Sequence, residues 1–249
     1  MSYPTLRLHP RKEESVLRFH PWIFSGAIAS FSAPVEDGDL VSVVDSKGRP
    51  LGTGHFGGGS IAVRLLSFDA EEVIDRAFYK RRLEAALRLR LSCDLVRPVG
   101  SSDSPNTTYR LVHGEGDSLP GLIIDIYDRT AVVQAHSLGM HQARQTIAEV
   151  LWEVFAEAGD PVLPLEGVYY KSETTLPTRD MRELASDGFL IGHTEAAPIY
   201  ENGVRFTPDW LKGQKTGFFI DQRDNRALVA HYAKGRTVLN AFCYTGGFS

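Results

Sequence analysis

The first 68 residues are a series of short apolar runs cut by turn residues. Residues 40–45 are apolar and β-branched, and residues 51–56 and 61–68 follow on either side of Gly57-Gly58-Gly59. Residues 35–39 read as a polar turn, and Asp45-Ser46-Lys47-Gly48 has the composition of a hairpin tip. Short strands at this spacing predict a small β-barrel or sandwich over residues 1–70.

The pattern changes at Asp69. Asp69-Ala70-Glu71-Glu72 has the acidic character of a helix start. Ile74, Phe78, Ala85 and Leu89, with Leu83, Leu87 and Leu91, recur near the helical period, which predicts a helix over residues 71–92. After a loop at residues 101–106, residues 109–113, 122–127 and 131–136 read as strands, with Asp128-Arg129 as a tight turn. Residues 140–158 form an amphipathic helix whose stripe is Ile147, Leu151, Val154, Phe155 and Ala158. Gly159-Asp160-Pro161 stops it, and residues 168–171 make another strand. Residues 71–190 are therefore expected to be an α+β unit. In residues 191–249, Asn202-Gly203 between strand-formers is a hairpin signal. A helix is expected over residues 221–233, then a strand over 237–242 that runs into Tyr244-Thr245-Gly246-Gly247. The expected fold class is α+β and α/β in several domains.

Composition narrows the function only by exclusion. The chain has 27 Lys+Arg against 31 Asp+Glu, a formal net charge of -4, which excludes a globally basic nucleic-acid binder but not a local basic patch. Cys93 and Cys243 stand far apart with no CxxC or Cys/His cluster, so neither a disulfide framework nor a structural zinc site is expected. His113, His136 and His141 have no metal-ligand spacing. The N-terminus lacks an apolar signal segment, and no apolar run approaches the roughly 20 residues that span a bilayer. A reduced, soluble, cytoplasmic protein is the expectation.

An apolar strand entering a glycine-rich turn is how a nucleotide-binding α/β domain opens, because glycine lets the backbone approach a ligand closely. An ordinary strand-to-loop transition has the same appearance. Arg223 could pair with a ligand carboxylate and Asp221 could accept from an ammonium, or Asp221 could simply cap a helix. Between Arg76 and Arg97 lie seven Lys/Arg and two acids, a local charge of +5. Such a helix suits a phosphate-facing surface or a solvated face. Trp22, beside His20, could stack on an unpaired base or, with Phe24, fill a barrel core. Cys243 reads as a small buried hydrophobe.

Two linked stretches carry a more specific signal. Gly213-Gln214-Lys215-Thr216-Gly217-Phe218-Phe219-Ile220-Asp221-Gln222-Arg223 and Leu239-Asn240-Ala241-Phe242-Cys243-Tyr244-Thr245-Gly246-Gly247-Phe248-Ser249 resemble the RlmI family of S-adenosylmethionine-dependent 23S rRNA (cytosine-C5) methyltransferases. His20-Pro21-Trp22-Ile23-Phe24-Ser25-Gly26-Ala27-Ile28 and Gly114-Glu115-Gly116-Asp117-Ser118-Leu119-Pro120-Gly121-Leu122 resemble the same family, so the resemblance spans the chain.

The resemblance implies an N-terminal PUA-like RNA-binding barrel (1–70), a central α+β domain with a leading basic helix (71–190) and the beginning of a Rossmann-like methyltransferase domain (191–249). It implies S-adenosyl-L-methionine as cofactor and ribosomal RNA as partner. Asn240, Phe242, Tyr244, Thr245, Gly246 and Gly247 would belong to the first cofactor motif, with Gln222 and Arg223 facing the methionine end. RNA contact then becomes the expectation for Lys80, Arg81, Arg82, Arg88, Arg90 and Trp22. The chain departs from the family pattern after the first cofactor strand. An acidic residue for the cofactor ribose is expected roughly 20 residues further on, and the nucleophilic cysteine and an Asp-Pro-Pro-type loop are expected beyond Ser249. No catalytic residue is therefore assigned, and these residues alone are expected to bind RNA without catalysis. Residues 237–249 are expected to show limited order or to self-associate, and a homodimer is one expected state. The competing expectation is a non-catalytic RNA-binding or ribosome-assembly module. A third keeps the enzyme but changes the methylated base.

Overall fold

A computed structural model describes residues 3–177, 186–243 and 246–249. The first unit is a six-stranded sheet of β1 (Thr5–Leu8), β2 (Trp22–Phe24), β3 (Ile28–Phe31), β4 (Leu40–Val44), β5 (Pro50–Phe56) and β6 (Ile61–Ser67), in the order β2-β6-β5-β4-β1-β3. Its inward residues, among them Leu6, Leu8, Ile23, Val41, Val43, Val63 and Leu65, form one cluster. That cluster joins β2 at one edge to β1 near the other, so the sheet curls around it as the alternating pattern predicts. Alternation also decides the fate of the expected barrel aromatics. Ile23 points inward, so its neighbours Trp22 and Phe24 point out, and Phe24 is 52% exposed. A short helix α1 (Glu14–Leu17) adds Val16 to the cluster.

The second sheet has the order β11-β10-β9-β8-β7. β7 (Thr108–His113), β8 (Leu122–Tyr127) and β9 (Thr130–Ala135) form an antiparallel meander. β10 (Gly167–Tyr170) runs parallel to β9, and β11 (Gly188–Gly192) is antiparallel to β10. The parallel step needs a crossover, supplied by α3 (Leu138–Gln142) and α4 (Arg144–Glu157). The expected single helix over 140–158 is thus two, and Ala158 lies exposed beyond the second. α2 (Arg76–Ser92) begins five residues later than expected, because the Asp75 side chain accepts from the Phe78 amide and caps it. α2 and α4 bury Phe78, Leu83, Leu87, Ile147, Leu151 and Phe155 on one face of the sheet. Ala85 and Leu89 lie outside that face and are exposed.

The opposite face of the same sheet is covered by the C-terminal segment. Tyr127, Val132 and Tyr169 pack there against Ile199, Trp210, Phe218 and Ile220. The Asn-Gly hairpin forms as predicted, with β12 (Ile199–Glu201) paired to β13 (Val204–Phe206) and positive φ at Asn202 and Gly203. α5 (Arg223–Ala233) follows. The expected strand over 237–242 is not formed: no described strand lies beside it, and Leu239 is 90% exposed. β11 runs across the expected border at residue 190.

Candidate functional site

The register of the central sheet builds the site. Asp125 pairs with Arg110 on β7 and Val132 on β9, so all three point to the face that carries the C-terminal segment. There Arg110 donates to both oxygens of the fully buried Asp125, at 2.8 and 3.0 Å. Thr216 donates to Asp125 Oδ2 at 2.6 Å and is bonded to the Tyr127 hydroxyl at 2.8 Å. Lys171 donates to the carbonyls of Trp210 and Gly213, at 2.8 and 2.7 Å. Gly217 has φ +120°, and a Cβ there would lie 2.4 Å from Trp210 Cα. The segment Gly213-Gln214-Lys215-Thr216-Gly217 is therefore fastened to the sheet by a charge-assisted network.

Beyond that loop lies a cleft of about 400 Å³, lined in part by Lys215, Phe218, Phe219, Asp221, Gln222 and Gly247. Gln222 Nε2 donates to Asp221 Oδ2 at 3.1 Å. Partial burial works against the Asp221 charge, but the Gln222 hydrogen bond and the Lys215 and Arg110 charges outweigh it and hold the carboxyl below its ordinary pKa. Of the residues expected at the cofactor, Gln222, Phe242 and Gly247 meet on this cleft, and Gly246, at φ +75°, shapes the adjoining turn. Asn240 and Arg223 line a different cleft, against α5. Arg223 donates to the Thr108 carbonyl and lies 3.8 Å from Glu201, so its guanidinium is turned into the fold and does not line the cleft of Gln222. Tyr244 and Thr245 lie outside the described residues. Cys243 is exposed on the cleft rim, not buried as expected.

The basic helix is less basic than its sequence. Lys80 is held by Glu153 and Glu157, Arg81 and Arg82 by Glu72, and Arg88 faces Glu84 at 3.8 Å. Arg90 is buried, donates to the Arg110 carbonyl and forms a two-bond pair with Asp117. The expectation of a phosphate contact is corrected for Arg90, which is inside the fold, and the acids of α4 engage Lys80. Arg81 and Arg88 keep exposed side chains. Trp22 Nε1 donates to Glu115 Oε1 at 2.7 Å, which joins the barrel to the central unit.

That junction holds a second cleft, of about 460 Å³, which the sequence reading missed. Arg64 enters it from β6, Gln134 and His136 come from β9 and the residue after it, and Lys215 comes from the C-terminal loop. The signal in sequence was the stretch Gly114 to Leu122: Gly114, Glu115, Gly121 and Leu122 make one wall, and Asp117 is the residue that Arg90 grips.

Residues 6–68 match the family model of a PUA-like domain, and residues 177–249 match that of an S-adenosylmethionine-dependent methyltransferase. The chain is 40% identical over 98% of its length to the ribosomal RNA large subunit methyltransferase I of Shewanella amazonensis, and 41% identical, also over 98%, to that of Shewanella denitrificans. The chain spans 58% of the length of each of these two relatives. The fold agrees. A SAM-dependent methyltransferase structure from Streptococcus mutans superposes at a TM-score of 0.76, with 23% identity, over 100% of this chain and 59% of the other. A methyltransferase crystallised with S-adenosylhomocysteine gives the same TM-score at 22% identity, over 100% of this chain and 58% of the other.

S-adenosylmethionine is the cofactor of the methyltransferase family, and the cleft of Asp221 and Gln222 fits it chemically. An anionic carboxylate suits the ammonium of its methionine end, and the neighbouring phenylalanines offer apolar surface to a ring. Its size is within the usual range for ligand clefts, roughly 300–1,000 Å³. Among the described residues no group of His, Cys, Asp and Glu could hold a metal ion, and no helix is long and apolar enough to cross a membrane.

Proposed function

We propose that this chain supplies the RNA-binding and cofactor-loop elements of an rRNA methyltransferase that acts on cytosine C5 of 23S rRNA, in the cytoplasm where that RNA is matured. The observation that carries this reading is the placement of two clefts around one loop: Asp221 and Gln222 on one side, Arg64 and His136 on the other, with Lys215 lining both. Asp221 and Gln222 would hold the methionine end of S-adenosylmethionine, with Gly246 and Gly247 giving its backbone room. The cofactor supplies an electrophilic methyl group. Cytosine C5 would become nucleophilic enough to accept a methyl group only once a thiolate had added to C6, and the base would have to leave its stack to be reached. Cys93 and Cys243 are both exposed rather than seated in a base pocket, so we assign the nucleophile to neither. With residues 237–242 unpaired, the 249 residues bind RNA but do not methylate it.

Filter binding and incorporation of labelled methyl groups, run on this chain with unmodified 23S rRNA, test the reading. Binding without incorporation is expected. Incorporation sinks the non-catalytic part, and absence of binding sinks the RNA part. Nucleoside analysis of 23S rRNA from cells lacking the gene should show a lost 5-methylcytosine. Loss of another methylated nucleoside would overturn the cytosine reading.

A further inference from the structure

The cleft between the barrel and the central sheet holds polar groups that the fold itself does not use. Gln134 is only 5% exposed and turns its side-chain amide to the cleft wall. Arg64 is half-buried and forms no ion pair within 4.0 Å among the described residues, although Glu115 lies near enough to influence its charge. Lys215 has no ion pair either; its ammonium rests 4.7 Å above the Phe219 ring. His136 stands at the mouth.

The other charges in the cleft are already committed. Arg110 is neutralised by Asp125. Among the described residues Glu115 is the single acid on the wall, and Trp22 Nε1 fixes its Oε1. Gly121, at φ +85°, makes room for Ser137, whose Oγ would lie 2.8 Å from a Cβ there, and Arg64 Cδ packs alongside at an ordinary 3.7 Å. Arg64 and Lys215, which form no ion pair within 4.0 Å among the described residues, thus converge with the Gln134 amide and the His136 imidazole on one concave surface, beside one restrained carboxylate. This is the donor set of an anion site.

We propose that Arg64, Gln134, His136 and Lys215 form a binding site for a backbone phosphate of single-stranded RNA. The inference rests on the RNA reading above and gives it a location, at the junction of the two units instead of on the face of α2. A strand seated here would lead from the outward face of the barrel, where Phe24 is exposed, toward the loop that borders the cofactor cleft.

The test is fluorescence anisotropy with a labelled single-stranded RNA at several salt concentrations, on the chain and on Arg64→Gln, Arg64→Lys and Lys215→Gln. Each glutamine variant is expected to weaken binding about tenfold and to reduce the slope of log K against log salt by about 0.7, the value of one single-strand phosphate. Arg64→Lys keeps the charge and should keep the slope. Thermal melts confirm that each variant is folded, and Lys215→Gln, on an exposed loop residue, covers the case in which Arg64→Gln is not. Unchanged affinity and slope in both glutamine variants would overturn the site while leaving the RNA reading intact. Failure of the parent chain to bind RNA overturns both.

Discussion

Arg226 grips Glu201 through two parallel hydrogen bonds, Nε to Oε1 at 2.7 Å and Nη2 to Oε2 at 2.5 Å. Both side chains are buried, and the guanidinium also lies 4.4 Å above the Phe218 ring. The pair fastens α5 to the β12–β13 hairpin. Removing one partner strands the other as a buried charge, so Arg226→Ala should cost about 3 kcal/mol or more in urea denaturation. Glu201→Gln, which keeps the shape, should cost less. Equal, near-zero losses would show that the pair does not hold α5.

Arg90 and Asp117 make the same kind of bond within the central unit. Arg90→Ala should lower stability by about 3 kcal/mol and leave the RNA affinity of the folded protein within twofold. A large loss of RNA affinity with an unchanged melt would return Arg90 to the RNA surface.

His55 is buried with its ring against Gly139, where a Cβ would lie 2.2 Å from the ring carbon Cγ. Burial pushes its pKa down to about 4 from an ordinary 6.5. As pH falls below 6.5 the unfolded chain takes up a proton that the folded chain refuses, so stability is lost between about 6.5 and 4. Nothing is lost above pH 7. The loss approaches about 3 kcal/mol at the lower end. Chemical denaturation from pH 4 to 8 should show this slope, and His55→Gln should flatten part of it. An identical slope in the variant would place the effect elsewhere.

Gly217 can carry no side chain in its present place, because both its φ and the Trp210 backbone forbid one. Gly217→Ala should destabilise the chain by about 2 kcal/mol and open residues 210–219 to limited proteolysis. Wild-type resistance to protease would mean that the loop has room to yield.

Much of the fold was legible in local chemistry. Asn202-Gly203 between strand-formers gave the hairpin, and the stripe from Ile147 to Phe155 gave the buried face of α4. The α2 start was misplaced because Asp69 and Glu72 mimic a first turn, while the cap that forms is Asp75. Its charge was overcounted because sequence counts charges but not their partners, and Glu153 and Glu157 come from another helix. Residues 237–242 have the composition of a strand, but composition cannot supply the neighbour a strand needs. The junction cleft draws on Arg64, Gln134, His136 and Lys215, positions that only the folded sheet brings together.

Lys215 borders both the cleft of Asp221 and Gln222 and the junction cleft, and it carries a single charge. Its ammonium cannot lean fully toward both, so the two clefts are not energetically independent. Whatever factor an occupant of one imposes on affinity at the other must be returned in equal measure. Order of addition would then leave the final complex unchanged, and either ligand could report on the arrival of the second.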